Sequence, residues 1–198
     1  MLGLLPTSLT INNTEYEIRT DYRNILTIIS AFNDEELRDA EKTLICLVRL
    51  YTDFYSIPES DYKEAYEAAV DFIECQMKSD KPSPKVIDWE KDEQLMFAAV
   101  NKVAGKEIRS ETYIHWWTFI GYFQSIDRES IWGYVLTIRQ KKAKRKKLDK
   151  AENDFYNANK SMIDIGRVTD RKLDAEMFAD KLYKQLLEEQ REIEVKEG

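Results

Sequence analysis

Tyr113-Ile114-His115-Trp116-Trp117-Thr118-Phe119-Ile120-Gly121-Tyr122-Phe123 holds two of the four tryptophans and the only histidine of this chain. Nearly every position is apolar or aromatic, so the segment predicts a central, buried helix. Ser110 or Thr112 is the expected cap, and the helix should run to about Ile126. Ile131-Trp132-Gly133-Tyr134 follows, and then the basic run from Arg139 through Gln140, Lys141, Lys142, Ala143, Lys144, Arg145 and Lys146 to Lys147. An aromatic helix feeding a cationic one is a packing and docking device. Nothing in it resembles catalytic machinery. Worked outward from this point, the chain reads as mainly α: a multi-helix bundle with a short N-terminal β-hairpin and long C-terminal helices.

Upstream, Leu9-Thr10-Ile11 and Thr14 to Arg19 alternate in type around Asn12-Asn13. Asparagine tolerates positive φ, so this pair can close a tight hairpin. An isolated hairpin is marginal in water, so it must pack on helices or pair with another copy. Asp21 is placed to cap a first helix through Phe32, with Ile25, Ile28, Ile29 and Phe32 on one face. Asn33 or Asp34 should cap a second, whose stripe runs from Leu37 through Leu44, Leu47, Val48 and Tyr51 to Tyr55. Ile57-Pro58 redirects the chain, and a third helix is expected from Pro58 to Met77. Ser79-Asp80-Lys81-Pro82-Ser83-Pro84-Lys85 is the clearest linker.

Beyond the linker, a fourth helix is expected from Asp88, with Trp89, Met96, Ala99, Val100 and Val103 on one face and Gly105 as its stop. Asp88, Glu90, Asp92 and Glu93 read as the acidic first turn that a helix dipole favours. After the aromatic helix, Asp127 should cap a long helix that carries on through the basic run. Leu148, Ala151, Phe155, Ala158, Met162 and Ile165 then alternate steps of three and four, the seam of a helix contact within or between chains. Gly166 breaks it, and a last amphipathic helix is expected over Asp170 to Glu194. The organisation is thus a hairpin and helical hairpin over 1–80, a linker at 81–87, an aromatic core over 88–138 and a basic, helical extension over 139–198.

The composition bounds the function. Residues 1–100 carry 10 Lys/Arg against 20 Asp/Glu, and residues 101–198 carry 20 against 17, within a net charge of −7. Opposite blocks of this kind attract each other within one chain or between copies, so self-association is expected. No apolar run approaches the length of a membrane span, and Met1-Leu2-Gly3-Leu4-Leu5-Pro6 lacks the basic start of a signal peptide. Cys46 and Cys75 lie in helical patterns and read as buried thiols of a reducing compartment. One histidine and two distant cysteines make no metal site. The Asp88–Glu93 cluster lacks the glycine-kinked loop of a calcium site. Val103-Ala104-Gly105-Lys106 lacks the remainder of a phosphate loop. His115 reads as a structural histidine or one holding a hydrogen bond. No catalytic residue, cofactor or metal is assigned. The basic run is a solvated face or a dock for an acidic protein surface. Nucleic acid is the lesser reading, because no DNA-binding motif accompanies it and its neighbouring aromatics look buried.

Asp88-Trp89-Glu90-Lys91-Asp92, then Ala98-Ala99-Val100-Asn101, then His115-Trp116-Trp117-Thr118-Phe119 resembles the central signature of a bacteriophage protein family of siphophages that infect Gram-positive bacteria. The pattern is D-[FYW]-E-x-D followed by HWW-x-F, and Ile138-Arg139-Gln140-Lys141-Lys142 fits it too. The resemblance spans about residues 8–165 and leaves out the helix from Asp170. It implies a product of the tail gene cluster that is tail-assembly-chaperone-like and non-enzymatic. Such a protein acts in the host cytoplasm, keeps the tape-measure protein soluble and helps recruit tail-tube subunits. A connector or other component retained in the virion, and a nucleic-acid-binding regulator, are the competing readings. The signature residues are Trp89, His115, Trp116, Trp117, Phe119 and Trp132. The candidate contact residues are Lys142, Lys144, Arg145, Lys146, Leu148, Phe155, Met162 and Ile165.

Overall fold

Residues 3–75 and 86–165 are described by the computed structural model. Within them the fold is mainly α, with one two-stranded antiparallel sheet at the N-terminus. Strands β1 (Ser8–Ile11) and β2 (Thr14–Glu17) pair with Ile11 opposite Thr14. Asn12 and Asn13 take φ of 46° and 65°, the double left-handed turn that matches strand twist. The hairpin rests on helices, with Ile11 fully buried and the Asn12 amide donating to Glu64 Oε1 at 3.0 Å.

Helix α1 (Tyr22–Asn33) starts at Asp21, whose carboxylate accepts from the Arg23 amide at 2.9 Å. Its Ile25 and Ile28 are fully buried, as their spacing requires. Helix α2 spans Asp39–Leu50, a later start and an earlier stop than expected. Asp34 accepts from the Glu36 amide in a local turn and does not cap α2. Glu41 instead reaches back to the Arg38 amide at 2.8 Å. Tyr51 leaves the helix because Ile18 bridges to it and its hydroxyl donates to the Ala65 carbonyl at 2.8 Å. Tyr55 therefore falls in the short turn Phe54–Ser56. The carbonyl end of α2 is closed by Arg19, whose guanidinium donates to the carbonyls of Val48, Arg49, Tyr51 and Thr52. Orphan carbonyls at a helix end take such a cation well.

Helix α3 spans Tyr62–Ile73, after a turn at Glu59–Asp61. It stops short of the expected Met77, with Cys75 left-handed at φ 55°. Met77 and the Ser79–Lys85 linker lie outside the described residues, as does the helix expected over Asp170–Glu194. Helix α4 spans Glu93–Ala104 and ends at Gly105, whose φ of 70° favours glycine. Residues 88–92 form a turn ahead of it and not its first turn, and Phe97 joins Met96 and Val100 on the buried face while Val103 is partly exposed.

Helix α5 is the aromatic helix, Trp116–Gln124. It begins later than expected: His115, and neither Ser110 nor Thr112, caps it. Nor is it buried all round: Trp116 and Phe119 are buried, whereas Trp117, Ile120 and Phe123 are half-buried and Gly121 is exposed. Helix α6 (Ile131–Ala143) is capped by Ser130, which accepts from the Gly133 amide at 3.0 Å, and not by Asp127. Gly133 permits a close approach, because a Cβ there would lie 2.4 Å from the Asp127 carbonyl oxygen.

The long basic helix is interrupted. Helix α6 stops at Ala143, and Arg145 is left-handed at φ 54°. Helices α7 (Lys150–Ala158) and α8 (Lys160–Ile163) then fold back. Two causes act together. Adjacent cations repel along a continued helix, and the turn lets Phe155 pack edge-on against Tyr134 of α6, centroids 4.9 Å apart. A single cluster of buried residues runs from Ile11 to Ile163. No helix among the described residues is long and apolar enough to cross a membrane.

Candidate functional site

Three consecutive residues close the bundle. His115 is 3% exposed. Its Nδ1 accepts from the Trp117 amide at 3.0 Å, so the ring proton sits on Nε2 and donates to the Pro6 carbonyl at 2.9 Å. The imidazole thus satisfies one orphan amide of α5 and pins the N-terminal arm in the same stroke. The Trp116 amide donates to the Thr20 carbonyl at 2.7 Å. Its indole Nε1–H donates to the Ile73 carbonyl at 2.8 Å, and that of Trp117 to the Phe72 carbonyl at 2.9 Å. The two indoles thereby cap the last turn of α3. Phe119 stacks on Tyr22 at 4.7 Å and on Trp116 at 5.7 Å. Trp89 is half-buried against Phe123 at 5.5 Å. The signature residues around α5 are therefore brought together as structural groups, and Trp117 is less buried than its neighbour.

Trp132 lies on the buried face of α6, 1% exposed, and its indole nitrogen has no hydrogen-bond partner among the described residues. Arg139 stands 5.7 Å over its ring. The sequence places Arg139 in a solvated run, but the structure buries it to 4% exposure. Its partner is Asp92, 1% exposed, from the acidic cluster read as a helix start. The two meet as a fork, Nη1 to Oδ2 at 2.5 Å and Nη2 to Oδ1 at 2.8 Å. The remaining donors reach the carbonyls of Ile163 (2.7 Å), Met162 (2.8 Å) and Val86 (3.1 Å). All five guanidinium N–H groups are thus satisfied, and Asp92 Oδ2 also accepts from the Asp88 amide at 2.8 Å. One side chain ties α6 to the approach to α4, to Val86 and to the end of α8.

The candidate contact residues separate into two groups. Leu148, Phe155 and Met162 are half-buried against the core, and Ile165 is half-buried at the end of the described segment. The break at Asn159 shifts the helical phase, so the fully buried residue is Ile163. The seam is therefore an internal contact on α6 and not a continuous coiled coil. Lys142 sits over the Tyr156 ring at 3.6 Å and pairs with Asp164 at 2.6 Å. Lys142 first, and then the Tyr156 hydroxyl, hold the Asp164 carboxyl below the usual carboxylate range against the opposing effect of its partial burial. The stability this adds is present above the ordinary carboxylate pKa and is lost as pH falls through the depressed one. Lys141 pairs with Glu152, which also closes a capping box on Asp149. Lys144, Arg145 and Lys146 remain exposed on the turn.

Phe155→Lys with Met162→Lys is expected to lower the melting temperature by several degrees, since each places a charge where an apolar group packs. Thermal denaturation followed by circular dichroism measures it. An unchanged midpoint would show that the seam is free for a partner.

Burial pushes the Cys46 thiol up to about 12 and the Cys75 thiol up to about 11. Both are therefore poor nucleophiles at neutral pH. Among the described residues no group of three or more His, Cys, Asp or Glu side chains is placed to hold a metal ion.

The fold is thus a mainly α bundle whose distinctive residues serve to join distant segments. Residues 1–165 match the family model described as Bacteriophage Gp15 protein. The chain belongs to that bacteriophage protein family. Nothing matches it among curated proteins, and nothing among solved structures.

Proposed function

We propose that the chain is a non-enzymatic tail-assembly protein, chaperone-like, which binds the tape-measure protein in the host cytoplasm and assists assembly of the tail tube. The supporting observation is membership of a bacteriophage family over residues 1–165, combined with a signature whose polar atoms are engaged inside the fold. Both nitrogens of His115 and both indole N–H groups of Trp116 and Trp117 are committed to backbone partners. The signature builds a scaffold, and binding falls to the surface. A tape measure is long, helical and amphipathic, and a helical chaperone covers such a partner by helix-on-groove contact. With the seam packed internally, exposed apolar side chains such as Leu4, Leu5, Tyr113 and Ile131 offer that contact.

Co-expression with the tape-measure protein of the same phage tests the reading. The expected result is a soluble tape measure that co-purifies with more than one copy of this chain. Leu4→Asp with Leu5→Asp should weaken that co-purification and leave the fold intact. A chain that neither binds nor solubilises the tape measure, yet is present in finished virions, belongs instead to the structural or connector class.

A further inference from the structure

We infer that the chain associates head to tail with copies of itself, the basic turn between α6 and α7 of one copy seated on the acidic outer face of α3 in the next. Lys144, Arg145, Lys146 and Lys147 are all exposed, and the side chain of none of them bonds to a described residue. They do not form a loose tail. The Arg145 amide donates to the Lys142 carbonyl at 3.0 Å and the Lys146 amide to the Lys141 carbonyl at 2.8 Å. This double closure fixes the helix end. Arg145 occupies the left-handed position that favours glycine. The cations are therefore presented on a shaped turn.

The complementary surface lies on other elements of the same chain. From Asp53 to Glu74 the sequence has seven acids and one lysine. Asp53, Glu59, Glu67 and Glu74 are exposed. Glu67 and Glu74 are seven residues apart, so they lie along one stripe that runs to the end of α3. Helix α3 packs on β1 and α2, whereas α6 packs on α4 and α8. Among the described residues no ion pair joins the basic turn to Glu67 or Glu74.

Two different, mutually complementary patches on one chain define a heterologous contact, which extends into a ring or filament. Net repulsion between copies of charge −7 is screened to about 8 Å at physiological salt, while the contact pairs persist. A contact this small is weak singly and gains strength by repetition along an assembly. A polyanion such as DNA fits less well, because the turn would meet only about four phosphates on a chain whose net charge is −7. Self-association of this kind does not depend on the tape measure being the partner.

Sedimentation velocity on the full chain alone tests it. At about 0.1 M salt the wild type should associate as its concentration rises, and at about 1 M salt it should not. Lys144→Glu, Arg145→Glu and Lys146→Glu together should weaken association by roughly tenfold or more. Glu67→Lys with Glu74→Lys should do the same. An equimolar mixture of the two reversed variants should associate again, because each reversed patch meets its complement. Circular dichroism checks that both variants fold, and Lys→Gln changes at 144 and 146 give a milder second series. A monomeric wild type at about 0.1 M salt, or association indifferent to both reversals, overturns the inference. So does a wild type whose turn binds duplex DNA and does not self-associate.

Discussion

Arg139→Met is expected to remove about 3–5 kcal/mol of stability, because it strands the buried Asp92 carboxylate. The melting temperature should fall by roughly 10 °C. Three carbonyls, those of Val86, Met162 and Ile163, lose their donor at the same time. Arg139→Lys should recover only part of the loss, since an ammonium has three donors where the guanidinium fork offers five. Arg139→Met with Asp92→Leu should be more stable than Arg139→Met alone, because the unpaired charge is gone, yet still below wild type because the carbonyls stay unpaired. Since the arginine holds α8, limited proteolysis of Arg139→Met should cut first between residues 144 and 165. A single variant melting within about 2 °C of wild type would contradict the buried fork.

Local signals were legible in the sequence, and partners distant along the chain were not. Asn12-Asn13 announces its turn because few residues accept positive φ, and Asp21 announces α1 because its carboxylate acts within two residues. His115 was legible as a structural residue. Its role as cap was not, because the extended approach to α5 is set by Tyr22 and Thr20, which bond to Ile114 and Trp116 from over ninety residues away. The end of α2 differs from its periodicity for the same reason: Tyr51 answers to Ile18 and Ala65, not to its own helix.

The Arg139–Asp92 pair carried a signal of phase that composition concealed. Arg139 lies seven residues after Trp132 and four after Val135, on the buried face of α6. Asp92 lies four residues before Met96, just ahead of α4 and in line with its buried face. Two opposite charges on two apolar stripes read as a buried pair only once the stripes are known to meet. Arg139 opens a run of cations, and so by composition it reads as one more solvated charge. The interruption at Lys144–Arg145 was hidden in the same way, since lysine and arginine are good helix formers and only the return of Phe155 to Tyr134 requires a turn there.

Trp116→Ala is expected to cost about 3–5 kcal/mol, a large part of the 5–15 kcal/mol typical of a folded domain. The side chain is 1% exposed and stacks on Phe119, which in turn stacks on Tyr22, so its removal opens a cavity between α1 and α5. It also leaves the Ile73 carbonyl without its donor at the end of α3. Trp116→Phe separates the two effects: it keeps most of the packing and loses the hydrogen bond, at about 1–3 kcal/mol. Trp117→Phe should cost less than Trp116→Ala, because Trp117 is only half-buried. Chemical denaturation of the three variants, read by circular dichroism, gives the order. If Trp116→Ala unfolds at the wild-type midpoint, the HWW segment does not hold the bundle together. Its aromatic density must then serve a ligand or partner.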